Sequence, residues 1–439
     1  MTLALPIRAL VNRHAGDAAF YWCQRQGSLD SPLVDLDRLA HLDRVLQAHL
    51  DGLVVAQESG TAEAWAALDR WCGAGEIFVC AVLALEQQDS GRLRAVWQCV
   101  AQQPSRRTDA FVAALAWAQD NPMGPRIGWI EHWSRTEESP LLRAAALRAA
   151  RLCTLDVSHA AIAASRANDA ELRAAACVAL AQRRAQLPEV ATALEERLRD
   201  DVLTVRIEAA IALLDSAVAP EVTAQALNVL GNAIGVRLQA LAALTGGDRA
   251  ELYPNVQREL RSFALHLPCG SAEAHALCSL LDVPDRIEFA AWHGDAALLA
   301  PLIELAADPR WSALVLWAVC ALSGVDGDAA GLSTLPDTDA AIPSRYIGLP
   351  AADPVALSHW WSLHCRRFVA GTRYLLGAPV AGDTAAGRLH LLHVLGSAPQ
   401  DLRSIAACHL QRAHVLADLS LLARATAQYQ WLHQQHGGA

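Results

Sequence analysis

One five-residue phrase recurs four times between Glu138 and Gly246: Leu142-Arg143-Ala144-Ala145-Ala146, Leu172-Arg173-Ala174-Ala175-Ala176, Val205-Arg206-Ile207-Glu208-Ala209 and Val236-Arg237-Leu238-Gln239-Ala240. The arginines Arg143, Arg173, Arg206 and Arg237 follow one another at steps of 30, 33 and 31 residues. An apolar residue precedes each, an alanine stands three places after, and Ala150, Leu180, Leu213 and Leu244 stand seven places after. On a helix those three places share one face, and the small alanine lets a neighbouring helix approach closely. Five places before each arginine stands Glu138, Asn168, Asp201 or Asn232, a residue able to cap a helix start or to accept hydrogen bonds from an arginine along a ladder. Units this short cannot bury an apolar face alone. The period therefore predicts stacked helical hairpins, an all-α solenoid.

Weaker copies flank the strong four. Phe78 and Phe111 occupy the arginine register, and Ala81 and Ala114 follow them three places on. Later copies centre on Glu273, Val315 and Arg403. The sequence thus divides into a helical cap over 1–70, HEAT-like repeats over 71–325 (strongest over 135–250), an irregular loop over 326–353, and a C-terminal helical segment over 354–439 with one further degenerate repeat. Asp37 is expected to open the second helix. Pro254, Pro268, Pro284 and Pro301 are expected at helix starts and turns, and Asp353-Pro354 reads as an N-cap with proline at the first helical position. Gly371 to Gly377 reads as a glycine-bounded turn with a short extended piece.

Composition removes several kinds of chemistry. All 36 basic residues are arginine, which excludes a P-loop lysine, a Schiff-base lysine and a lysine general base. The net charge of −10 argues against a broad phosphate-binding surface, so nucleic acid is disfavoured as a partner. The 11 cysteines form no C-x-x-C pair, and most, such as Cys80, Cys177 and Cys320, fall within apolar helical phrases, as buried thiols of a cytoplasmic protein do. The sequence shows no signal peptide and no uncharged run long enough to cross a membrane, so no membrane partner is expected. Eight of the 16 histidines lie after residue 358, and His390 and His393 share a helix face. No second ligand motif accompanies them, so they read as surface or capping residues, and neither a metal nor a cofactor is expected. No nucleophile elbow or dinucleotide-binding glycine motif is present, and no catalytic residue is assigned.

The repeated phrase resembles the second helix of HEAT repeats. The resemblance widens when the ends are included. Asp17-Ala18-Ala19-Phe20-Tyr21-Trp22, the piece His49-Leu50-Asp51-Gly52-Leu53, and the block Trp360 through Arg367-Phe368 to Gly371-Thr372-Arg373-Tyr374-Leu375-Leu376-Gly377 are similar to a proteobacterial family often encoded in type VI secretion gene clusters. That family carries no catalytic residues to transfer. The resemblance implies a non-catalytic scaffold or adaptor for protein–protein interaction, associated with type VI secretion or its effectors. Two alternatives follow from other HEAT-like solenoids: an enzyme akin to DNA base glycosylases or tetrapyrrole lyases, and a nucleic-acid-binding scaffold.

In the HEAT arrangement the second helices line the concave side. Transferred to this register, that groove would present Asp120, Gln182, Glu208, Asp215, Gln239, His275, Asp282 and Trp317, an acidic and polar row suited to a protein partner with a basic or polar face. Arg143, Arg173, Arg206 and Arg237 are expected to form a structural inter-repeat ladder. Trp360, Trp361, Arg373 and Tyr374 form an alternative binding patch.

Overall fold

Helix after helix in this chain starts at a residue that satisfies its otherwise unpaired N–H groups. Asp35 accepts from the Arg38 N–H, Asp89 from Arg92, Asp169 from Leu172, Asp353 from Val355 and Ala356, and Thr384 from Gly387. Each such cap is worth about 1 kcal/mol. Proline occupies the first turn of the helices that begin at Pro140, Pro220, Val283, Pro309 and Pro354, where no backbone donor is lost. The Asp353-Pro354 expectation is met. The second helix is capped by Asp35, and Asp37 sits in its first turn.

The computed structural model describes residues 7–119, 128–135, 139–153, 155–181, 188–216, 219–336, 344–413, 415 and 419–437. The protein is all-α. Its helices form two units: residues 1–30, 34–212 and 417–439 in one, and 31–33 with 213–416 in the other.

The first unit contains α1 (Arg8–Ser28), α2 (Leu36–Val55), α3 (Glu58–Trp71), α4 (Ala74–Glu86), α5 (Ser90–Gln102), α6 (Pro104–Gln119), α7 (Trp129–Arg135), α8 (Pro140–Leu152), α9 (Ser158–Ala164), α10 (Ala170–Leu180), α11 (Pro188–Arg197) and most of α12 (Leu203–Leu214). Alternate helices pack in a row: α1 on α4, α4 on α6, α6 on α8, α8 on α10. Central members of such a row are covered on several sides, so α4 is buried at every residue from Ile77 to Leu85. Where the register holds phenylalanine, aromatic packing fills the space. Phe78 stacks on Trp22 at 5.2 Å and meets Trp117 edge-on, while Phe111 lies against Trp97 and Trp133.

The second unit contains α13 (Pro220–Ala243), α14 (Gly246–His266), α15 (Ala272–Leu280), α16 (Val283–His293), α17 (Ala296–Leu299), α18 (Pro309–Ser323), α19 (Pro354–His364), α20 (Ala385–Ser397) and α21 (Gln400–Arg412). Here α14, α16 and α18 make the row. Two expectations are corrected. The Arg237 phrase is the second half of the single 24-residue helix α13, with no turn before it. Pro254 lies inside α14 instead of at its start. The region after α18 holds the strand pair β1 (Ser333–Thr334) with β2 (Ala351–Ala352), and Gly371 to Gly377 leads into the hairpin β3 (Tyr374–Leu375) with β4 (Ala378–Pro379). The hairpin turn, Leu376-Gly377, has positive φ at both positions, 47° and 81°, as a tight two-residue hairpin needs. The last helix, α22 (Ala425–Gly437), returns to the first unit and packs on α2.

Candidate functional site

The repeated arginines have separate surroundings. Arg173 is buried and meets Asp200 through a two-pronged contact, Nε to Oδ2 at 2.8 Å and Nη2 to Oδ1 at 2.7 Å. Its Nη2 also donates to Asp201, and its Nη1 donates to the carbonyls of Ala167 and Asn168. Asp200 and Asp201 precede the next phrase, so Arg173 reaches from one phrase to the start of the next. Arg206 donates instead to the carbonyls of Asp200 and Asp201, the same two places before it that Arg173 uses. Arg237 lies 3.1 Å from the fully buried Glu259 on α14, and Arg143 is half-buried on α8.

The residues assigned to a concave row have unlike surroundings. Asp120 and Gln182 lie outside the described residues. Glu208 is half-buried on α12, Gln239 is exposed on α13, and His275 is exposed on α15, outside the α14–α16–α18 row. Asp282 is exposed just before α16. Trp317 is not a surface contact: it is 7% exposed, and its indole N–H donates to Asp401 at 2.8 Å. The C-terminal patch is also mostly packed. Trp361 stacks on Phe368, and Tyr374 is buried with its hydroxyl accepting from the Val369 N–H. Trp360 stacks on His364. Arg373 donates to the carbonyls of Ala264, Leu265 and Leu267 and so closes the end of α14.

Two features were not visible in the sequence. The first is a cleft of about 510 Å³ in the first unit, between α2, the end of α6 and α22. Trp117 forms part of its wall, with the Arg424 guanidinium 4.0 Å above the ring and its indole N–H donating to Gln47. The carboxylates at its edge are committed to protein partners. Asp37 accepts from the Tyr429 hydroxyl, and Asp43 pairs with Arg25 and accepts from the Ala425 N–H.

The second feature lies in the second unit, where two groups of metal-ligating side chains form: Asp215, His266 and Cys408, and Cys269, His293 and Asp295. In each group the three ligand atoms lie within 4.8 Å of one another. In the second group Asp295 accepts three backbone hydrogen bonds: Oδ2 from the Gly270 and Gly371 N–H groups, and Oδ1 from Ala297. Burial lowers His293 to about 4 and raises the Cys269 thiol. This group is a clasp between loops. In the first group His266 Nε2 lies 3.6 Å from Asp215 Oδ1 and 3.7 Å from Cys408 Sγ, and His266 Nδ1 lies 2.6 Å from the Ser262 carbonyl. Burial lowers His266 to about 3 and raises Cys408 to about 12. His390 and His393 take no part: His390 meets the Leu375 carbonyl, and His393 is exposed.

Among the described residues no helix is long and apolar enough to cross a membrane. No protein-family model matches this chain. No curated protein matches it either. Among solved structures it is similar to the crystal structure of an engineered protein from the Northeast Structural Genomics Consortium, at 16% identity over 70% of this chain and 97% of that one. The TM-score of 0.26 is too low for that likeness to bear on fold or function.

Proposed function

We propose that this protein is a non-catalytic scaffold or adaptor, a HEAT-like α-solenoid that holds a protein partner in the cytoplasm, in the setting of type VI secretion. The observation that carries the reading is the packing of alternate helices in rows, α4–α6–α8–α10 in one unit and α14–α16–α18 in the other, with Arg173 tying consecutive hairpins. Stacking of this kind presents one helix per repeat along a continuous surface, which suits binding better than turnover. The partner has a basic or polar face, because Gln239 and Asp282 stand exposed and the chain as a whole is acidic.

The test is affinity capture from the native lysate, followed by reconstitution with the purified partner. Gln239→Arg together with Asp282→Arg should weaken the reconstituted complex. Binding of the parent should also fall with salt, since exposed charges are screened beyond about 8 Å at physiological ionic strength. A folded double variant that binds as well as the parent would remove the acidic-face reading.

A further inference from the structure

We propose that the cleft between α2, the end of α6 and α22 is a binding site for a small organic carboxylate with an apolar body, held by Arg44 and Thr426. Its volume of about 510 Å³ lies in the range that small-molecule sites occupy. The hydrogen bonds already made around it decide what it can hold.

Most of the polar groups on its walls are spent on one another. Asp43 is buried, and its two oxygens take the Arg25 Nε–H at 2.5 Å and the Ala425 N–H at 2.7 Å. The Gln47 side-chain carbonyl accepts from the Trp117 indole at 3.2 Å, and its amide donates to Asp51 at 2.7 Å. Asp37 accepts from the Tyr429 hydroxyl, and Arg424 lies over the Trp117 ring. These contacts join α2 to α6 and α22 and fix the walls before a ligand arrives, which spares part of the ordering cost of binding.

Two donors are left. Arg44 is exposed, and among the described residues its guanidinium makes one long contact, Nε to the Ala40 carbonyl at 3.4 Å. Both of its terminal nitrogens are open to the cleft. Thr426 is exposed on the α22 side, and its hydroxyl has no hydrogen bond among the described residues. The rest of the lining is largely apolar, from Ala40 and the Trp117 and Tyr429 rings. A guanidinium fork matches the two oxygens of a carboxylate, and the paired, charge-assisted bond is stronger than a neutral one. The threonine hydroxyl can donate to the same group. Asp37 stands seven places before Arg44, roughly 10 Å away along the helix axis. Its charge repels an anion from that end and leaves it to the apolar body of the ligand. One open guanidinium set against Asp37 also suits a single negative charge better than a phosphate dianion.

The test uses the full chain. Octanoate, phenylbutyrate and indolebutyrate, each beside its uncharged primary amide, are titrated into it by isothermal calorimetry. At least one carboxylate should saturate at one per chain and bind about 10-fold or more tighter than its amide, as a charge-assisted bond is worth. Arg44→Gln should remove that preference, and Thr426→Val should weaken the carboxylate by less. Ala40→Trp, which fills the cleft, should abolish binding of acid and amide alike, and Thr426→Trp serves in its place if that variant does not fold. Arg38→Gln, an exposed arginine of the same helix outside the cleft, should change nothing. Circular dichroism establishes that each variant is folded. The proposal is overturned if none of the carboxylates saturates, if the amides bind as tightly, if folded Arg44→Gln keeps the preference, or if the folded cleft-filling variant binds as the parent does.

Discussion

Replacing Arg173 with alanine tests how consecutive hairpins are held together. The guanidinium and the Asp200 carboxylate meet along two parallel hydrogen bonds of 2.8 and 2.7 Å, and their side chains are 10% and 3% exposed. Removing the arginine leaves the buried Asp200 carboxylate with only the longer Arg197 contact at 3.7 Å as its ion pair, and strips the Ala167 and Asn168 carbonyls of their donor. Breaking one side of a buried pair costs about 3–5 kcal/mol, and the two carbonyls push the loss toward the upper end. For a unit of this size 1 kcal/mol moves the midpoint by about 2–4 °C, so the expected fall in Tm is on the order of 10 °C, read by circular dichroism. Arg173→Lys should fall in between, because an ammonium cannot make the fork. Arg173→Met combined with Asp200→Leu should regain much of the loss, since apolar replacement of a whole buried pair is often neutral. Acid behaviour gives a second readout. Burial pushes the Asp200 carboxyl up, but the hydrogen bond and charge of Arg173, with the Val202 N–H, outweigh it and hold it below its usual range. Its contribution is therefore present above pH of about 3.9 and fades as pH falls through the lower folded value. That acid loss should shrink in Arg173→Ala. An Arg173→Ala midpoint within about 2 °C of the parent, or a paired apolar variant that loses the sum of the two single changes, would refute this account.

Two further outcomes follow from buried carboxylates. Burial raises Asp401 to about 7 even though the Leu402 N–H and the Trp317 indole donate to it. Between pH about 4 and 7 the folded state holds a proton that the unfolded chain releases, so this group makes stability decline as pH rises. Asp401→Asn should flatten that decline in urea melts from about pH 5 to 8, and an unchanged slope would count against it. Asp43→Ala should loosen α22, because Asp43 pairs with Arg25 at 2.5 Å and caps the Ala425 N–H at 2.7 Å. Limited proteolysis should then cut the α22 end sooner than in the parent, and equal rates would mean that other contacts hold the helix.

What could be read from the sequence was local chemistry. The Arg173 phrase and the Asp201 five places before the next one were legible because both recur at a fixed step. The Asp353-Pro354 cap was legible because it acts within three residues. Asp200, the stronger partner of Arg173, carries no repeat signal and was missed. Asn232 read as a cap, yet α13 runs straight through it, because Ala226, Leu230, Ala233, Ile234 and Leu241 gain more by continuing one buried stripe than the asparagine gains by capping. Trp317 fell on a groove position in the register but lies on a helix covered on both sides by its row and the hairpin beyond it. The Asp215–His266–Cys408 group has no local spacing at all; only the fold brings it together. The arginines show most clearly what the phrase does. Arg173 and Arg206 each reach carbonyls six and five places back, Arg286 reaches the Ser279 and Leu281 carbonyls, and the fully buried Arg403 reaches that of Leu395. The accepting carbonyls belong to the stretch just before each helix, some buried, as at Asp200, and some exposed, as at Asn168 and Asp201. A long side chain with five N–H groups one turn into the helix can reach back and donate to them. The arginine and the alanine serve separate ends of the same repeat: Phe78 and Phe111 show that the alanine recurs at Ala81 and Ala114 without an arginine, so the arginine ties the chain before the helix while the alanine sets how closely the next helix packs.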